Sequence, residues 1–276
     1  MFSPYYAAAR RRAATDPRRH VALNVALYGR GARRWTMTER GDGALSASAD
    51  ALCIGPSTLA WEGDALVVTV REVCAPWPRS VRGRIRIEGL LPGLSPIALD
   101  SASRHRWQPI APRARVSVDL DAPALRWSGE GYVDSNWGDA PLESSFAAWQ
   151  WCRTPRPDGG TLVHYDVRER DGGARAWRLD IAPDGRVTQS PPEPARPLAR
   201  SLWGIPRDAH DGAQLRATLE DGPFYTRSLL ATPWQGQSLP TFHESLSLDR
   251  FGARWVQALL PFRMPRRAGG GTAGTL

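Results

Sequence analysis

Lysine is absent from this chain, and all 36 basic residues are arginine. A lysine Schiff base, an ε-ammonium nucleophile and the phosphate-binding lysine of a P-loop are excluded with it. Against 28 acidic residues the net charge is +8, and such a surface attracts anions. No helix-turn-helix pattern, zinc knuckle, RNP-type string or Gly-flanked basic arm accompanies the charge, so nucleic acid is not an expected partner. The uniform use of arginine points to a coding bias, leaving a solvated basic surface or contact with an anionic membrane.

Cysteine is scarce. Cys53, Cys74 and Cys152 are odd in number and form no disulfide framework, so a reduced, cytoplasmic chain is expected. No uninterrupted apolar run reaches the roughly 18 residues of a membrane helix, and the opening M-F-S-P-Y-Y-A-A-A-R-R-R lacks the apolar core of a secretory signal. Also missing are G-x-S-x-G, a G-x-G-x-x-G following a strand, C-x-x-C and H-E-x-x-H, and His164, His210 and His243 are scattered. No metal, nucleotide or flavin is therefore expected.

What is present is proline (24), glycine (26) and tryptophan (12), a composition that favours short strands and turns over helix bundles. Alternating or β-branched runs fall at 21–28, 34–39, 58–61, 65–73, 83–87, 115–120 and 125–127, and again at 146–151, 161–168, 175–181, 215–219, 224–230 and 242–248. An all-β sandwich or barrel follows. Helical spacing is confined to 254–260, and the Gly-rich tail 268–276 is expected to be disordered.

One stretch carries chemistry: W-S-G-E-G-Y-V-D-S-N-W-G, Trp127 to Gly138. At strand period Tyr132, Asp134 and Asn136 share a face, and upstream His105-x-Trp107 echoes Tyr132-x-Asp134. A carboxylic acid among aromatic rings suits a reaction that passes through a carbocation.

These strings, with W-x-M-T-E-R at Trp35 to Arg40 and the closing L-P-F-R-M-P-R, resemble the carotenoid 1,2-hydratases of purple photosynthetic bacteria over nearly the whole chain. The resemblance implies two lipocalin-like β-barrels in tandem, divided near residue 145 (1–145 and 146–267), and no cofactor. It further implies hydration of the terminal 1,2 double bond of neurosporene or lycopene, with His105, Trp107, Tyr132 and Asp134 as functional residues. Such a substrate has to leave a bilayer, so peripheral contact with an anionic membrane is implied. Phe2, Tyr5, Tyr6 and Arg10 to Arg12 at one end, and Phe262, Met264, Arg266 and Arg267 at the other, are candidates for it.

Hydration of an isolated alkene begins with a proton, and an ordinary Asp costs about 4 kcal/mol to protonate at neutral pH. Burial of Asp134 among Trp127, Tyr132 and Trp137 is expected to reduce that cost. Trp107 and Tyr132 then face the cation, at about 0.5–2 kcal/mol per ring, and His105 is the expected base for the attacking water. Trp127, Trp137 and Asn136 are expected to contact substrate. Glu39 and Glu244 are spare carboxylates, expected to pair with arginine, with Glu39 an alternative proton carrier. The rival reading is a lipocalin-like carrier that holds a carotenoid or lipid without altering it; it needs the pocket but not the acid.

Overall fold

The computed structural model describes residues 2–29, 31–91 and 94–267, and the tail at 268–276 lies outside them. Antiparallel β structure dominates, in two large sheets. The first contains β1 (Leu45–Ala47), β2 (Ala51–Ile54), β3 (Ser57–Glu62), β4 (Ala65–Val73), β5 (Ser80–Glu88), β6 (His105–Ala122) and β7 (Ala124–Gly138), each beside its neighbour in sequence. Its packing follows from β-branched alternation: Val70 on β4, Val81 on β5 and Val118 and Leu120 on β6 form one buried cluster.

The second sheet contains β8 (Phe146–Pro155), β9 (Thr161–Glu169), β10 (Ala174–Ile181), β11 (Val187–Ser190), β12 (Gln214–Asp221), β13 (Tyr225–Trp234) and β14 (Gln237–Ser247). Its spatial order is β11-β10-β9-β8-β14-β13-β12. Neither sheet order returns to its first strand, so among the described residues no closed barrel forms. The all-β expectation holds at the level of two antiparallel sheets. The helix expected over 254–260 is present as Arg254–Leu259.

Two compact units result, and they interleave in sequence. One combines Leu90–Arg113 with Tyr132–Val256; the other combines Phe2–Gly89, Ala114–Gly131 and the segment from Gln257 onward. The sequence reading draws a single boundary near residue 145. Strands β6 and β7, at 18 and 15 residues, are long enough to contribute to both units.

In the second of these units the first and last described segments are both held against Glu39 and Arg40. Ser3 caps the helix Pro4–Arg10, Ser3 and Arg266 both bond the buried Glu39 carboxylate, and Arg266–Arg267 pairs in parallel with Glu39–Arg40. Glu39 is thus a paired structural acid. Met264 is buried and Tyr5 and Tyr6 are half-buried, leaving Phe262, at 68% exposure, as the strongly exposed apolar side chain among those expected to reach a membrane.

In the other unit both faces of the second sheet are covered. One face is polar: Gln150 donates to Asp208 Oδ2 at 2.8 Å, and His210 Nε2 meets Asp166 Oδ2 at 2.8 Å. His164 stacks on His210 at 4.8 Å. Burial pushes His164 down to about 3 and His243 down to about 4, so both stay neutral and pack as polar core. Among the described residues no group of three or more His, Cys, Asp or Glu is placed to hold a metal. The opposite face is aromatic and carries the site.

Candidate active site

The two-residue period of β7 sets Tyr132, Asp134 and Asn136 on one side. Asp134 Oδ2 accepts two hydrogen bonds, from Trp107 Nε1 at 2.6 Å and from Tyr132 Oη at 3.3 Å. Among the described residues Oδ1 accepts none. Trp107 is fully buried on β6, so its indole N–H is a fixed donor that holds the carboxyl by one oxygen and leaves the other to act.

Loss of water around Asp134 lifts its pKa from 3.8 to about 6; the Trp107 bond opposes the shift, the Glu244 charge adds to it, and the Tyr132 bond opposes it. At pH 7 its protonated form then costs about 1.4 kcal/mol instead of about 4. Burial, then the Asp134 charge, also pushes the Tyr132 phenol well above its ordinary value. It remains a neutral donor.

Beneath lies a cross-strand row on the second sheet, set by register: Trp177 opposes Tyr165, Tyr165 opposes Trp151, Trp151 opposes Glu244 and Glu244 opposes Arg227. Directly opposed residues share a face. The rings meet the acid's holders, with Trp107 against Tyr165 at 5.2 Å and Tyr132 against Trp151 at 5.1 Å between centroids. Tyr165 Oη donates to Asn136 Oδ1 at 3.2 Å, so Asn136 orients a ring of this bed.

Asp134, Trp107 and Tyr132 therefore come together as expected from sequence. His105 does not join them: its Nε2 lies 3.0 Å from Ser145 Oγ and its ring packs on Phe146 at 5.0 Å. Burial, against the pull of Asp100, lowers its pKa. A Cβ on Gly138 would come within 2.5 Å of His105 Nδ1 and 2.6 Å of Arg104 O, so glycine there permits the end of β7 to seat against the histidine.

The tryptophans flanking the motif are also placed differently from expectation. Trp137 alternates to the side of β7 opposite Asp134 and is 41% exposed, and Trp127, in the other unit, is 44% exposed. The rings that enclose Asp134 are instead Trp107 and Tyr132, backed by Tyr165 and Trp151. Those last two were not singled out from sequence, although Trp149-x-Trp151 has strand spacing.

An acid with a raised pKa in an aromatic bed, on antiparallel sheet, is an arrangement able to deliver a proton to an apolar, weakly basic group. The chain belongs to the carotenoid hydratase CrtC family, whose model matches residues 1–272. It is 50% identical over 274 residues to an acyclic carotenoid 1,2-hydratase of Thiocapsa roseopersicina, covering 98% of this chain and 67% of that one. Identity to the acyclic carotenoid 1,2-hydratase of Rubrivivax gelatinosus is 43% over 274 residues, covering 97% and 68%. In fold it is similar to kievitone hydratase of Nectria haematococca, with a TM-score of 0.52 at 10% identity over 83% of this chain and 84% of that one.

Proposed function

We propose that this protein, a hydro-lyase, adds water across the terminal C1–C2 double bond of acyclic carotenoids such as neurosporene and lycopene. The observation that carries the reading is the tether on Asp134 Oδ2, because it holds a protonatable carboxyl with Oδ1 facing no protein donor. Protonated Asp134 gives its proton to C2, and the π electrons leave a tertiary cation at C1. Trp107 and Tyr132, with the Tyr165 and Trp151 rings behind them, stabilise that cation at about 0.5–2 kcal/mol per ring, and the new carboxylate adds its charge. Water then bonds to C1 and loses a proton, which restores the acid.

His105, bonded to Ser145 and seated on Gly138, fits a positioning role that sets where Trp107 and Asp134 stand on their strands. Trp137 is kept as a contact for the remainder of the polyene. We further read the two meandering sheets as opened lipocalin-like barrels, since up-and-down antiparallel order is the lipocalin connectivity. A bilayer-dissolved substrate calls for peripheral contact with an anionic membrane at about 1 kcal/mol per near-surface Arg. Leu202 at 97% exposure, and Trp203 stacked on Trp255 at 5.9 Å with Arg250 over Trp255, supply an apolar and basic surface for it.

Incubation of the purified protein with lycopene in detergent, without oxygen, is expected to give a product heavier by one water. Retention of unaltered pigment would instead assign a carrier. Turnover is expected to survive chelator treatment and gel filtration unchanged, because protein acids and rings supply the chemistry; loss of activity that a divalent ion restores would overturn that.

A further inference from the structure

The proposed reaction needs a second group, one that takes a proton from the attacking water. His105 bonds Ser145, and Asp134 has only just become a carboxylate when water arrives. Glu244 continues the aromatic row, between Trp151 and Arg227. Its Oε1 accepts from Tyr225 Oη at 2.6 Å and from Arg227 Nε at 2.9 Å, with Arg227 Nη2 at 2.7 Å. All three contacts fall on one oxygen. Among the described residues Oε2 accepts no hydrogen bond, and the side chain is 23% exposed, so this oxygen is open to a small polar molecule.

Glu244 thus repeats the arrangement of Asp134: one carboxyl oxygen anchored by an aromatic side chain's polar hydrogen, the other unbonded. The two carboxylates feel each other, since the Glu244 charge is among the causes that raise Asp134. Two carboxyl groups in differing environments within one site can divide acid and base work between them. A plain structural acid paired with arginine would be expected to engage both oxygens with the guanidinium fork. Here the fork closes on Oε1 alone.

We propose that Glu244 is the water-activating residue of this site: Oε2 binds the attacking water and receives its proton as the water oxygen bonds to C1, while Tyr225 and Arg227 hold Oε1. Resting on the carotenoid reading above, the step balances. Asp134 loses one proton to C2, Glu244 gains one from water, and its transfer back to Asp134 closes the cycle with no other reactant.

The test compares Glu244→Gln with wild type in lycopene turnover across pH, with near-ultraviolet circular dichroism and pigment binding as checks of folding. The variant is expected to lose kcat by about a hundredfold or more with KM changed by less than about threefold. Glu244→Asp should recover part of the rate. Tyr225→Phe, which leaves the Arg227 pair intact, should cost about tenfold in kcat, the size of a bond to a charged group.

Run in heavy water, Glu244→Gln should still place deuterium in recovered polyene or shift its terminal double bond, since Asp134 continues to protonate it. Exchange without hydration isolates the failed step. A Glu244→Gln enzyme whose kcat is preserved while its alkaline limb moves would reduce Glu244 to an electrostatic neighbour of Asp134. If Asp134→Asn still hydrates lycopene, the failure lies instead with the acid assignment on which this step depends.

Discussion

Asp134→Asn is expected to lower turnover at least a hundredfold while leaving pigment binding in place. An amide keeps the shape and can still accept from Trp107 and Tyr132, but it has no proton acidic enough for an alkene. Activity above a tenth of wild type would remove Asp134 from the acid role. The same variant carries a stability signature. Between about pH 4 and pH 6 the folded protein binds a proton at Asp134 that the unfolded chain has released, so stability falls as pH rises through that window and stays lower above it. Asn is free of this loss. Thermal unfolding near pH 8 should show Asp134→Asn more stable than wild type, by up to about 3 kcal/mol, with the gain absent near pH 4.

The second large effect belongs to Trp107. Trp107→Ala removes a fully buried ring and is expected to cost about 3–5 kcal/mol of stability, visible in chemical denaturation, together with most of the activity. Trp107→Phe is the informative member of the pair. It keeps an aromatic face toward the proposed cation but loses the N–H that bonds Asp134 Oδ2 at 2.6 Å. That bond opposes the rise of the Asp134 pKa, so the alkaline limb of kcat/KM should move to higher pH by about one unit. The maximal rate should fall as the acid loses its anchor, with little change in apparent affinity. A profile unmoved on the pH axis would show that the bond does not govern the acid.

The acid and its two donors were legible in the sequence because they obey a local rule: Tyr132-x-Asp134 on one strand and Trp107 on another need only the two-residue period to face one way. The same period puts Trp137 on the other side, an odd position on a strand whose working residues are even, although the sequence reading places it against Asp134. Tyr165, Trp151, Glu244 and Arg227 were not legible as a group. Their alignment depends on the register of four antiparallel strands, and register is fixed by the completed sheet rather than by any strand alone. Strand β6 is likewise longer than the 115–120 run, because Pro109 and Pro112 read as breakers. In the structure Pro112 contributes its carbonyl, which accepts from Arg153 and Thr161.

One oxygen of Asp134 is pinned from two directions, by an indole from β6 and a phenol from β7 itself. Two such bonds fix the plane of the carboxyl group as well as its position. A planar alkene approaching that carboxyl offers its proton donor a single face, so the chemistry acquires a handedness that the flat substrate lacks. The two hydrogens on C2 of the alcohol, identical in formula, would then have separate origins and fixed places, one carried in by the polyene and the other set down by the protein.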